Sequence, residues 1–156
     1  MSGIGESTWI WLHLGFIFAG LAGLAAAVAS AGIYLFQSLQ LKSKNPGKVF
    51  LRLPSLEALD KIHFRSLGGG VVLFSLGILT GFFWAKTRSE LDRIIHDPTA
   101  MLSLIACSLY WVLLSLRVLE LKRGRKIAIG TVLAFTLLFG TLVSTAYAPV
   151  AFHRGL

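Results

Sequence analysis

Apolar residues run in four long stretches, about 9–36, 67–85, 98–120 and 126–148, and most charged residues fall in the joins between them. A bilayer's hydrocarbon layer is about 30 Å thick and takes about 20 helical residues to cross. The pattern therefore predicts an all-α membrane protein with four transmembrane helices. Residues 54–65 follow another rhythm. Leu56, Leu59 and Ile62 or His63 recur at helical spacing with charges between them. This predicts an amphipathic interfacial helix on the inner membrane surface, feeding into helix 2. Local signals mark ends. Asp97-Pro98 predicts a helix start, because Asp caps free helical N–H groups and Pro suits the first turn. Gly124 predicts the end of helix 3 and Pro149 the end of helix 4.

Composition agrees with the pattern. The 156 residues are 55% hydrophobic and 14% charged, against about 25% charge in a soluble domain. Almost nothing is left for a soluble domain, so residues 1–156 read as one transmembrane domain. The N-terminus lacks a basic leader, and the first apolar run is too long for a cleavable signal core.

The net charge of +8 raises nucleic acid as a partner, but the basic residues sit beside apolar runs. That is the signature of topology and lipid-headgroup contact. Lys42, Lys44, Lys48 and Arg52 crowd the first join, and Lys122, Arg123, Arg125 and Lys126 the third. The second join is balanced, with Lys86, Arg88 and Arg93 against Glu90, Asp92 and Asp97. Lys/Arg excess marks the cytoplasmic side. Both termini and the second join are thus expected outside. Trp9, Trp11 and Trp84 fit an outer aromatic belt, whereas Trp111 lies near mid-helix and suits packing.

Small residues line the runs: Ala19, Gly23, Ala27 and Ala31 in the first, Gly77 and Gly81 with Gly70 in the second, Thr136, Gly140 and Ser144 in the fourth. Such residues let helices approach closely in lipid, and a flat cofactor lying on such a face is the alternative. Gly68-Gly69-Gly70 lacks the lysine and hydroxyl of a phosphate loop and reads as close packing. The lone Cys107 makes neither an internal disulfide nor a haem-attachment motif, and reads as a small packing residue.

Of the four histidines, His13, His96 and His153 fall on the predicted outer face and His63 on the inner one. An imidazole can ligate a metal, carry protons or hydrogen-bond. Two at one face can hold haem iron from both sides, and the plain alternative is interfacial hydrogen bonding. There is no HExxH or CxxC, no carboxylate pair within the runs and no nucleophile–base pair, so an enzyme is not expected. Acidic residues are absent from the helix interiors, which argues against small-ion transport.

Several segments together resemble the cytochrome c assembly family (the CcsA, CcmC and HemX group). Leu53-Pro54-Ser55-Leu56-Glu57-Ala58-Leu59-Asp60 with His63-Phe64-Arg65 is similar to the family's LPSLExLDxxxYR. Leu76-Gly77 through Gly81 to Trp84-Ala85 is similar to its LGxxxGxxWA. Asp97-Pro98 resembles the end of its tryptophan-rich outer segment, Leu114-Ser115-Leu116-Arg117 its YLHLR, and Phe152-His153 its C-terminal histidine motif. The departures are plain: the outer tryptophans are missing, Ala100 stands for a glutamate, and Ser115 stands for the in-membrane histidine.

The resemblance implies a haem-handling protein. By position, His13 and His153 match the two outer haem ligands, which implies haem b held between helices 1 and 4 near the outer face. His96 is a further polar contact there, and Arg154 or Arg93 suits the propionates. The expected function is haem delivery or electron relay. The expected partners are membrane lipids and other membrane subunits, including c-type cytochromes, and the expected place is the bacterial cytoplasmic membrane. The competing expectation is a cofactor-free accessory subunit of a larger respiratory or cytochrome complex.

Overall fold

The structure is a computed structural model that describes residues 3–42, 53–87, 97–119 and 124–152, with the side chains of 3–7, 98, 141, 142 and 144–152 outside the description. It is all-helical: α1 Gly3–Lys42, α2 Leu56–Thr87, α3 Pro98–Val118 and α4 Arg125–Phe152. Among the described residues, three helical segments are long and apolar enough to cross a membrane: Thr8–Lys42, Leu56–Thr87 and Thr99–Val118. The 40 residues of α1 extend about 60 Å at 1.5 Å per residue, well past a hydrocarbon layer of about 30 Å.

The helices form a ring in which α1 packs on α2 and α4, and α3 on α2 and α4. Of these four contacts α1–α2 is much the most extensive and α2–α3 the slightest. The sequence accounts for the first of these. His13, Ile17, Gly20, Leu24, Ala27 and Ala31 recur along α1 in alternating steps of four and three, as do His63, Leu67, Gly70, Phe74, Gly77 and Gly81 along α2. A repeat of 3.5 residues keeps one seam facing a partner helix. Glycines then bring the backbones together. A Cβ on Gly20 would stand 2.6 Å from the Phe74 backbone nitrogen, and one on Gly70 would stand 2.8 Å from that of Leu24. In lipid, where burying apolar surface yields little, such close packing carries the association. The register is antiparallel: Gly20 meets Phe74, Ile17 meets Gly77 and His13 meets Gly81.

Several expected features take a different form. The segment expected over about 54–65 as an interfacial helix feeding into helix 2 is helical from Leu56 and forms the start of α2, continuous with the rest of it. Ser55 caps it, accepting from the Ala58 N–H at 3.2 Å. The continuity follows from its apolar stripe, since Leu59 and His63 are buried in line with Leu67. Gly124 starts α4 instead of ending helix 3. Its carbonyl accepts from Ala128 at 3.1 Å, and α3 closes earlier, where the Leu119 N–H returns to Ser115. Gly124 has φ +62°, and a Cβ there would also meet the Tyr34 hydroxyl at 2.6 Å. Helix 4 runs through Pro149 to Phe152, past its expected end. The Asp97 cap is as expected, with its carboxylate accepting from the Thr99 N–H at 2.9 Å.

Not every small residue serves the packing. Gly70 does, but Gly69 and Gly140 face open space and Thr136 is exposed. Cys107 is buried, 3.3 Å from the Ser75 hydroxyl, which also accepts from the Trp111 indole N–H at 2.9 Å and donates to the Val71 carbonyl at 2.8 Å. Trp111 is half exposed and ties α3 to α2 through that bond.

A histidine at the wall of an apolar cavity

The slight α2–α3 contact leaves a cavity of about 530 Å³ toward the His13 end of the bundle. Its walls are mainly apolar: Leu14 and Ile17 from α1, Phe74 and Ile78 from α2, Leu104 from α3. His13, Trp84, Asp97, Thr99 and Ser103 add the polar groups. Size and lining are those of a cofactor or small-ligand site, mostly apolar with a few placed polar groups.

His13 is held from one side. Its Nδ1 lies 2.8 Å from the Gly77 carbonyl oxygen. A carbonyl can only accept, so Nδ1 carries the proton and donates. In the neutral ring the lone pair is then on Nε2, to which no described residue bonds. The ring rests against Gly81, where a Cβ would stand 2.8 Å from Cε1 and 3.0 Å from Nδ1.

At the opposite end, polar groups close on one another. His63 is buried, and its Nε2 lies 3.1 Å from Thr131 Oγ1. The Thr131 hydroxyl proton goes to the Ile127 carbonyl at 3.0 Å, so His63 donates from Nε2. Asp60 pairs with Arg117, whose guanidinium also lies 5.8 Å from the centre of the Phe64 ring, within cation–π range. Gln37 donates to the Pro54 carbonyl at 2.9 Å. These bonds join α2 to α3 and α4, and α1 to the segment before α2.

Of the site residues expected from sequence, His13 is at the cavity. His96, His153, Arg93 and Arg154 lie outside the described residues. The expected setting between helices 1 and 4 rests on His153 and so lies outside the described residues. His13 turns onto α2, and the cavity opens among α1, α2 and α3, with α4 contributing Leu138. The reason is steric, because the room for an imidazole is over the glycines of α2. Sequence reading passed over Gly81 as a seat for the ring, and over the Asp60–Arg117 and His63–Thr131 pairs. The signal for Gly81 was available: His13 and Gly81 each end a four-three stripe, and an antiparallel pairing aligns them. Among the described residues no three of His, Cys, Asp and Glu gather as a bare metal ion requires.

A continuous α1–α2 seam and an apolar bundle of spanning helices define a multi-pass membrane protein, in which, among the described residues, one imidazole borders an apolar cavity. The sequence matches the cytochrome c assembly protein family over residues 2–149, and the chain belongs to that family. Relatives include the cytochrome c biogenesis protein CcsA of Prochlorococcus marinus (strain MIT 9515), 24% identical over 95% of this chain and 53% of the relative. The HemX proteins of Brevibacillus brevis and Bacillus subtilis are 26% and 25% identical, over 88% and 81% of this chain and 50% and 46% of theirs. The chain thus spans about half the length of the curated relatives it matches. No solved structure matches it.

Proposed function

We propose that this protein binds haem b in the cavity beside His13 and serves haem delivery or electron relay for cytochrome assembly. The observation that carries the reading is the His13 ring at a mainly apolar cavity wall, with one nitrogen bonded to a carbonyl and the other uncommitted. A metal-ligating histidine characteristically donates its second N–H to a carbonyl or carboxylate. A porphyrin supplies most of its iron's ligands, so one or two imidazoles suffice where a bare ion needs a cluster. His13 and His153, which follows α4 in the sequence, would hold the iron. His96 would add a polar contact, and Arg93 or Arg154 would pair with the propionates. Bound haem would supply a one-electron centre or be the cargo itself, and no catalytic turnover by the protein is invoked.

The topology proposed with it has four spans, both termini outside, and the 1–2 and 3–4 joins at the cytoplasmic face of a bacterial inner membrane, as the basic residues favour. The starting turns of α2, with Glu57 and Lys61 exposed and paired at 3.0 Å, would lie at the inner interface. The test is to titrate the purified full chain with haem b. A Soret band that is lost in His13→Ala and weakened in His153→Ala supports the proposal, and a chain that gives no band overturns it.

A second reading, a cofactor-free accessory subunit, has its own support. Gly15, Ala19, Ala22, Ala26 and Ala29 form an exposed stripe on α1, pointing away from the bundle, of the kind that admits a partner helix. Colourless protein that copurifies with a fixed membrane partner would favour it.

A further inference from the structure

We infer that Gly77 and Gly81 of α2 form a seat that locks His13 as its Nδ1–H tautomer and turns the Nε2 lone pair toward the cavity, which makes Gly81 a positioning residue for the ligand site. The inference rests on the haem reading for its ligand, but the seat itself is independent of haem. Two observations carry it. The Gly77 carbonyl accepts from Nδ1 at 2.8 Å. The ring also occupies the volume of an absent side chain, since a Cβ on Gly81 would come within 2.8 Å of Cε1 and 3.0 Å of Nδ1. Any side chain at 81 would drive the ring off and break the bond to Gly77. Gly77 itself is fixed by the packing of Ile17, whose Cδ1 would meet a Cβ there at 2.6 Å.

The consequence is chemical selectivity. A lone pair facing the cavity takes a metal centre or a hydroxyl donor, whereas the opposite tautomer would present an N–H and take carbonyls and anions. The two glycines sit four residues apart so that one supplies a carbonyl and the other a gap, one turn on, along the same face of α2.

The full chain in detergent micelles, with ¹⁵N-labelled imidazole rings and His13 assigned from the His13→Ala spectrum, provides the test. Without haem, His13 is expected to show a protonated Nδ1 and a bare Nε2. Gly81→Ala is expected to lose that signature and to weaken affinity for haem b by about tenfold to a hundredfold, the usual consequence of losing a bond that orients a metal ligand. Gly15→Ala, which meets nothing within 4 Å, is the packing control and should keep both. Because Gly81→Ala risks misfolding, the double variant His13→Ala/Gly81→Ala provides a second readout. It should be more thermally stable than Gly81→Ala alone, since the new methyl group then occupies the room of the missing ring.

A proton on Nε2 in the wild-type chain overturns the seat. So does a Gly81→Ala protein that keeps both the Nδ1–H signature and full haem affinity. An intact Nδ1–H signature in a chain that gives no Soret band overturns the haem reading and leaves the seat standing.

Discussion

The two ends of this bundle use histidine in opposite ways. His13 reaches from α1 onto small residues of α2, and His63 sits on α2 where the same antiparallel register sets Ala31 of α1 opposite. His13 donates from Nδ1 to a backbone carbonyl and borders a cavity. His63 donates from Nε2 to a hydroxyl and is enclosed, with the Asp60–Arg117 pair one turn away. The contrast is between an imidazole enclosed among polar partners and one that borders a cavity. At the His63 end, α2, α3 and α4 are bonded together. At the His13 end α3 stands off from α2, and the gap is the chamber.

The comparison breaks most sharply at the ion pair. Asp60→Ala leaves the Arg117 guanidinium without its carboxylate in a partly buried site, and should destabilise the chain by about 3 kcal/mol. Asp60→Ala with Arg117→Met should cost clearly less than the two single changes added, as for groups in direct contact. Unfolding of the purified protein in mixed micelles measures both. If the two ends are separate in function, haem affinity stays unchanged in all three variants. Gly20→Ala comes next, at about 2 kcal/mol, because its methyl group would press on the Phe74 backbone, which cannot step aside as a side-chain tip can. Gly15→Ala should be neutral or stabilising by up to about 1 kcal/mol, through helix propensity alone.

Smaller changes sharpen the contrast. Thr131→Val removes the acceptor for His63 Nε2–H and should cost about 1 kcal/mol, with the His13 ring signals unmoved in the imidazole spectrum. Ser75→Ala strips the Trp111 indole of its acceptor midway along the bundle. Interhelical hydrogen bonds in membranes average about 0.6 kcal/mol, so the expected loss is of that size, read by the same unfolding assay.

The helices were legible because lipid imposes a simple rule: a long apolar run without charges has to be helical. The Asp97-Pro98 start was legible because the capping chemistry is local. What failed depended on neighbours distant in sequence. Residues 54–65 feed into helix 2 as expected, but that they join it as one unbroken helix follows from Leu59 and His63 continuing the stripe of Leu67 against the other helices. Gly124 looks like a helix end, but its role comes from φ +62° and the Tyr34 hydroxyl of another helix. His13, a candidate from sequence, borders the cavity, and its contact with α2 was not foreseen. Family position pointed toward helix 4, and the room for the ring depends on an absent Cβ on α2. The Asp60–Arg117 pair joins residues 57 positions apart, which no spacing rule along one helix brings together.

The absorption spectrum of the full chain titrated with haem b, compared among wild type, His13→Ala and His63→Ala, tests the central claim most directly. A Soret band in wild type and in His63→Ala, lost in His13→Ala, is the predicted result. A band of equal strength in wild type and His13→Ala would contradict it.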